Sequence, residues 1–173
     1  MAQKMDDEAI QHCMRVLDEI GDAVEKVGMV LQRADLKDTP GIPSGVITFP
    51  DSRSETWAIA CSMLMTPVMG IPTVFVQLFM LLTMPQPEKR YLLEMFIEGC
   101  DKKFMLADLG IFDDSLGMQY ILALSPDTAI SAEHFQSTLG TFVCQARAIN
   151  QVAVGLCNGT LTMEQALDFN AFE

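Results

Sequence analysis

Apolar or small side chains recur at Ile10, Cys13, Leu17, Ile20, Val24, Val27, Leu31 and Ala34, a 3-4 spacing that predicts one long helix over residues 6–34. The flanking positions include Met14, Val16, Ala23 and Val30, with Gly21 and Gly28 among them. A free two-stranded coil would place charges there, so the stripe is too wide for an exposed seam. The pattern predicts a helix lying across a sheet, with Asp18, Glu19, Asp22, Glu25, Lys26 and Arg33 on its solvated back. "DLKDTPGIPSG" (35–45) is turn chemistry, "VITFP" reads as a short strand, and "DSRS" as a polar turn.

No charged residue occurs from residue 56 to residue 87. A membrane-spanning helix needs about 20 apolar residues, and the run is long enough for one. Pro67, Gly70 and Pro72 cut it near the middle, however, and Trp57, Ile59, Cys61, Met63 and Met65 alternate with smaller or more polar neighbours. "TVFVQLFMLLT" is rich in β-branched and aromatic residues. The expectation is two antiparallel strands joined by a "TPVMGIP" loop. One helix covers one face of such strands, so the other face must meet another helix, a second subunit or a client.

"PQPEKRYLLEMFIEGCDKK" predicts a middle helix that opens at Pro87, carries Glu88 in its first turn and ends on Lys102 and Lys103. Tyr91, Leu92, Met95 and Phe96 form one apolar face and Leu93, Ile97 and Cys100 another. A helix apolar on two sides is buried on two sides, which in a small protein suggests a second subunit. "KFMLADLGIFDDSLGMQYILAL" reads as a hairpin turning at Asp113-Asp114-Ser115 and Gly117. A last long helix comes next, with Ser131 as N-cap, an Ile130–Phe135 staple, a stripe from Phe135 to Leu156 and a stop at Asn158-Gly159. A short tail helix capped by Thr162, with Gln165 in the capping-box place, ends the pattern.

The order α-β-β-β-α-β-β-α predicts an α+β fold, a twisted antiparallel sheet packed by long helices. A single domain over 1–173 is expected: the 6–34 helix, a 46–156 body of sheet, middle helix and final helix, and a 158–173 tail.

Charge narrows the partners. The formal net charge is −12, from 23 acidic against 11 basic residues. Such a surface repels phosphates and anionic lipid, so neither nucleic acid nor a membrane is expected as partner. The five cysteines show no CxxC or Cys/His ligand spacing, and the N-terminus lacks a signal-peptide core. Reduced thiols and a cytoplasmic location are the expectation.

Candidate chemistry adds little. His12 and His134 have no nucleophile or carboxylate placed beside them by any local pattern. Asp108, Asp113 and Asp114 lack the spacing of a calcium loop, and no glycine-rich phosphate loop is present. No catalytic residue, cofactor or metal is expected. The 13 methionines point elsewhere, because a flexible thioether suits adaptable binding surfaces as well as cores.

The middle helix "EKRYLLEMFIEGCDKKFMLADLGIF" runs straight into a strand, and "GMQYILALSPDTAISAEHF" gives strand, linker and final helix. In this order, over roughly residues 46–156, the chain resembles the type III secretion chaperone-like fold. Within it the chain is most similar to the bacterial sensory-transduction-regulator (YbjN-like) branch. The resemblance implies a homodimer with Tyr91, Leu92, Met95 and Phe96 as dimer contacts. It also implies an apolar patch at Met63, Met65, Val76 and Met80 that holds an extended segment of a client protein. The resulting expectation is a non-enzymatic, chaperone-like or adaptor domain. The alternative is a sensor of a small apolar ligand, bound between the sheet and the first helix.

Overall fold

Asp6 caps the first helix by accepting the Ala9 N–H at 2.8 Å, and this helix, α1 (Asp7–Glu25), stops well short of the expected residue 34. The stop is a glycine motif. Gly28 takes φ +76°, its N–H donates to the Glu25 carbonyl at 3.0 Å, and the Met29 N–H donates to Val24 at 3.1 Å. This pair of bonds satisfies the last carbonyls of the helix and turns the chain. Beyond the turn the chain enters a strand, β1 (Val30–Arg33), which corrects the single 6–34 helix.

A computed structural model describes residues 5–34, 41–50, 56–83, 85–100, 107–125 and 129–169. After β1 come β2 (Ser44–Pro50), β3 (Thr56–Val68), β4 (Ile71–Leu81), α2 (Arg90–Cys100), β5 (Asp108–Phe112), β6 (Ser115–Leu124), α3 (Ala132–Asn158) and α4 (Met163–Leu167). The class is α+β as expected, and the order matches apart from the added β1, with α4 as the expected short tail helix. The polar turn expected at "DSRS" and the end of the middle helix at Lys102 and Lys103 lie outside the described residues.

The six strands form one antiparallel sheet in the order β1-β2-β3-β4-β6-β5. Ile47 stands opposite Ile59 and Gly45 opposite Cys61 in the β2–β3 ladder. The chain divides into two compact units, Met1–Leu78 with Ile121–Thr138 and Phe79–Tyr120 with Leu139–Glu173.

In the first unit α1 lies on β1, β2 and β3. Cys13, Leu17, Ile20 and Val24 bury against it the strand side chains Ile47, Ile59, Cys61 and Met63. The start of α3 is tied to α1, since Gln136 donates to the Ala23 carbonyl at 2.7 Å. Just before α3, the Ile130 N–H donates to Glu19 at 3.1 Å.

In the second unit the chain enters α2 through a 3-10 turn at Pro87–Lys89, so the proline sits at the helix start as its fixed φ favours. The Lys89 ammonium donates to the Cys157 carbonyl in the last turn of α3, where a cation complements the helix dipole. Gly159 at φ +74° ends α3 with the same bond pair that ends α1. The expected capping box closes α4: the Gln165 N–H donates to the Thr162 hydroxyl at 3.2 Å and the Thr162 N–H to the Gln165 side chain at 2.9 Å.

Candidate interaction surface

The uncharged run forms a hairpin, but its loop is tighter than expected. β3 and β4 are joined by the two residues Met69 and Gly70, at φ 52° and 81°. Two successive positive φ values are those of the type I′ turn, whose twist matches a hairpin. Pro67 and Pro72 therefore lie within strands and do not form a loop. Pro67 is tolerated because β2 begins only at Ser44, opposite Ser62, so no ladder on that side is interrupted.

The period of two then decides which side chains meet solvent. Along β4 the even positions Val74, Val76, Leu78 and Met80 are buried, and the odd ones from Thr73 to Phe79 are half-buried. Along β3, Ile59, Cys61 and Met63 are buried, whereas Leu64 remains 38% exposed. The patch expected at Met63, Val76 and Met80 is thus core, and of that set Met65 alone is half-buried. The correction is one of parity: these residues fall on the buried set of alternate positions along β3 and β4.

In the first unit the opposite face presents Val30, Val46, Ala60, Leu64, Phe75 and Ile121, with hydroxyls and amides between them. From β1 through β4, residues 30 and 32, 46 and 48, 58 to 66 and 73 to 77 at alternate places include no charged side chain. The face runs out into the hairpin end, where Val68 and Ile71 are exposed and Met69 is 98% exposed.

In the second unit α2 buries Leu93, Phe96 and Cys100. Phe96 is fully buried and so leaves the expected set of dimer contacts. Leu92 is half-buried, and Tyr91 and Met95 remain exposed at 56% and 52%. They sit among charges, as Arg90 pairs with both Glu94 and Asp114.

A concavity lies in the first unit, between α1 and the ends of β1 and β2. Its volume is about 340 Å³, and Ile10, Met14, Arg33, Ile42, Pro43 and Ser44 line it. Arg33 is held there by Asp18 of α1. Among the described residues no group of three or more His, Cys, Asp or Glu could hold a metal ion. His12 contacts Arg15 at 3.1 Å on the surface, and the His134 N–H donates to the Ser131 hydroxyl at 3.3 Å as the helix cap. No described helix is long and apolar enough to cross a membrane. Set against protein-family models, curated proteins and solved structures, the chain matches none of them.

Proposed function

We propose that this chain is a non-enzymatic protein-binding domain, a chaperone-like or regulatory adaptor, that works as a homodimer and engages an apolar segment of a partner protein. The carrying observation is Met69. It is almost wholly exposed, flanked by the exposed Val68 and Ile71, and held at a positive φ that a side chain other than glycine or asparagine adopts at a cost. Asn-Gly would make the same turn with less strain and more solubility. An apolar tip kept against both considerations fits a contact residue, and methionine adapts to varied apolar surfaces. The uncharged sheet face behind the tip extends the apolar surface.

The test is an array of immobilised peptides probed with the wild-type chain and with a Met69→Asn, Ile71→Ser variant. Binding to apolar peptides that the variant loses supports the reading. Equal binding by both chains removes the tip from it, and no binding to any peptide overturns it.

The groove of about 340 Å³ beside α1 favours a second reading, a sensor of a small apolar ligand, since ligand pockets start near this size. Native mass spectrometry decides: a co-purified adduct lost on Met14→Glu supports it, and a clean chain mass counts against it.

A further inference from the structure

We propose that the end of the β3–β4 hairpin binds the apolar face of a basic amphipathic helix in a partner protein, and does not pair with that partner as a strand. The inference rests on the reading of the chain as a protein-binding domain and names the kind of segment it takes.

The backbone of the hairpin end is closed to strands. The two-residue turn sets Val68 opposite Ile71, and therefore Pro67 opposite Pro72. The Met63 N–H donates to the Pro43 carbonyl at 3.0 Å, so the odd residues of β3 direct their backbone groups away from β4. Past Met63, those of Met65 and Pro67 meet an edge with no strand beside it among the described residues. There the Met65 N–H donates to the Met5 thioether at 3.3 Å, and Pro67 has no N–H to give. On the other edge the Leu82 N–H donates to the Leu116 carbonyl at 2.8 Å, so the even residues of β4 face β6. Counting along both strands from this bond carries Leu124, the last residue of β6, no further than Val74. Pro72 lies beyond it. Each outer edge thus holds a proline where an incoming strand would seek a donor, a device that blocks strand addition. An extended segment laid against this end would bury N–H and C=O groups unpaired, at about 1–3 kcal/mol each. A helix satisfies its own backbone and needs only side-chain contact.

Side chains and charge complete the choice. Val68 and Ile71 share the open face with Leu64 and Phe75, and Met69 stands at the turn beyond them. Met5, bonded to Met65, leads directly into Asp6, Asp7 and Glu8, all exposed at the start of α1. Three residues of strand, about 10 Å, separate Met65 from Val68, so one helix can reach both the carboxylates and the apolar end. The net charge of −12 steers cationic segments in and turns anionic ones away. An apolar surface bordered by carboxylates complements a helix with one apolar and one basic face, and methionine adapts to the side chains such a helix presents.

Titration calorimetry of the full chain with three synthetic peptides of about 18 residues, five helical turns, tests this. They are an amphipathic Leu/Lys helix, its Leu/Glu counterpart, and an alternating Val/Lys strand former of the same charge as the first. The expected result is binding of the Leu/Lys helix alone, weakened about tenfold or more by Met69→Asn, Ile71→Ser. These substitutions leave the charge unchanged, so unspecific attraction to the acidic surface is the same in both chains. Pro67→Thr, Pro72→Thr, checked for folding by circular dichroism, should gain the strand peptide and keep the helix. The comparison of peptides on the wild type needs no variant, so a folding defect does not blunt the test. A strand peptide or a Leu/Glu helix bound as tightly as the Leu/Lys helix overturns the proposal. So does Leu/Lys binding that the tip variant retains, or a strand peptide that the folded proline variant still rejects. The protein-binding reading fails separately: apolar peptides bound by the wild type and lost on Met69→Asn, Ile71→Ser would leave it standing even where the basic helix is not preferred.

Discussion

The ring of Phe79 meets the ring of Phe112 edge to face, with centroids 4.8 Å apart and planes crossed at 76°. The pair has room because Gly110 stands opposite Gly117 in the β5–β6 ladder. A Cβ on Gly117 would lie 2.6 Å from the Phe112 ring and 3.0 Å from that of Phe79. The aromatic pair thus covers two residues that have no side chain of their own, a sheet contact worth about 0.5–1.5 kcal/mol beyond area alone.

Gly117→Ala should therefore destabilise the protein, although alanine is the better residue on backbone grounds. The methyl forces the rings apart, and overpacking of this kind costs about 1–3 kcal/mol. Urea denaturation measures it, and an unchanged midpoint would show that the rings move aside freely.

Met69→Asn should act in the opposite direction. Asparagine tolerates the left-handed region that methionine occupies at φ 52°, so relief of about 0.5–1 kcal/mol is expected. A higher melting temperature together with weaker binding of apolar peptides would mark the tip as a place where stability is given up for contact.

The two glycine stops show how far the sequence can be read. Gly28 and Gly159 end α1 and α3 with the same bond pair, yet only the second is legible. Asn158-Gly159 precedes polar residues. Gly28 precedes Met29, Val30 and Leu31, which continue the 3-4 spacing of the helix before it. A strand of four residues is too short to announce a period of its own. The hairpin is legible from its alternation and its class of residues, whereas its turn is obscured by two prolines that strands usually exclude. The surface is obscured for another reason. Alternation separates the residues of β3 and β4 into two sets, and nothing in either set says where the helices lie. Met63, Val76 and Met80 belong to the covered set, and Leu64 and Phe75 to the open one.

Gln145 offers a gain in stability. It is 1% exposed on α3, and among the described residues neither its amide nitrogen nor its oxygen has a hydrogen-bond partner. Leaving such a group dry and unpaired costs about 1–3 kcal/mol. Gln145→Met preserves the length and removes the polar atoms, so the melting temperature should rise. A fall would show that the amide is satisfied in solution by water.

Alkaline pH should destabilise the fold through buried thiols. Burial pushes Cys61 from the ordinary 9.0 up to about 12 and Cys13 up to about 11. Below pH 9 both folded and unfolded chains hold these protons, and stability is unaffected. Above it the unfolded chain releases protons that the folded chain keeps, so stability falls with rising pH by about 1.4 kcal/mol per unit for Cys61 alone. Melting curves taken from pH 8 to 11 should descend, and Cys61→Ala should flatten that descent even if it lowers the starting point.

Phe96 and Tyr91 are five residues apart on α2, and they separate core from surface on that helix. Phe96 is fully buried, so Phe96→Ala should cost about 3–5 kcal/mol through the lost contacts and the cavity left behind. Tyr91 is 56% exposed, and Tyr91→Ala should fall within about 0.5 kcal/mol of the wild type. Denaturation alone would leave open whether Phe96 acts in the core or in a dimer. Light scattering at fixed concentration resolves this, because a core residue weakens folding without shifting the association of the molecules that remain folded. A folded, monomeric Phe96→Ala protein beside a dimeric wild type would return α2 to the interface. A destabilised dimer would leave Phe96 in the core and off the surface on which the copies meet.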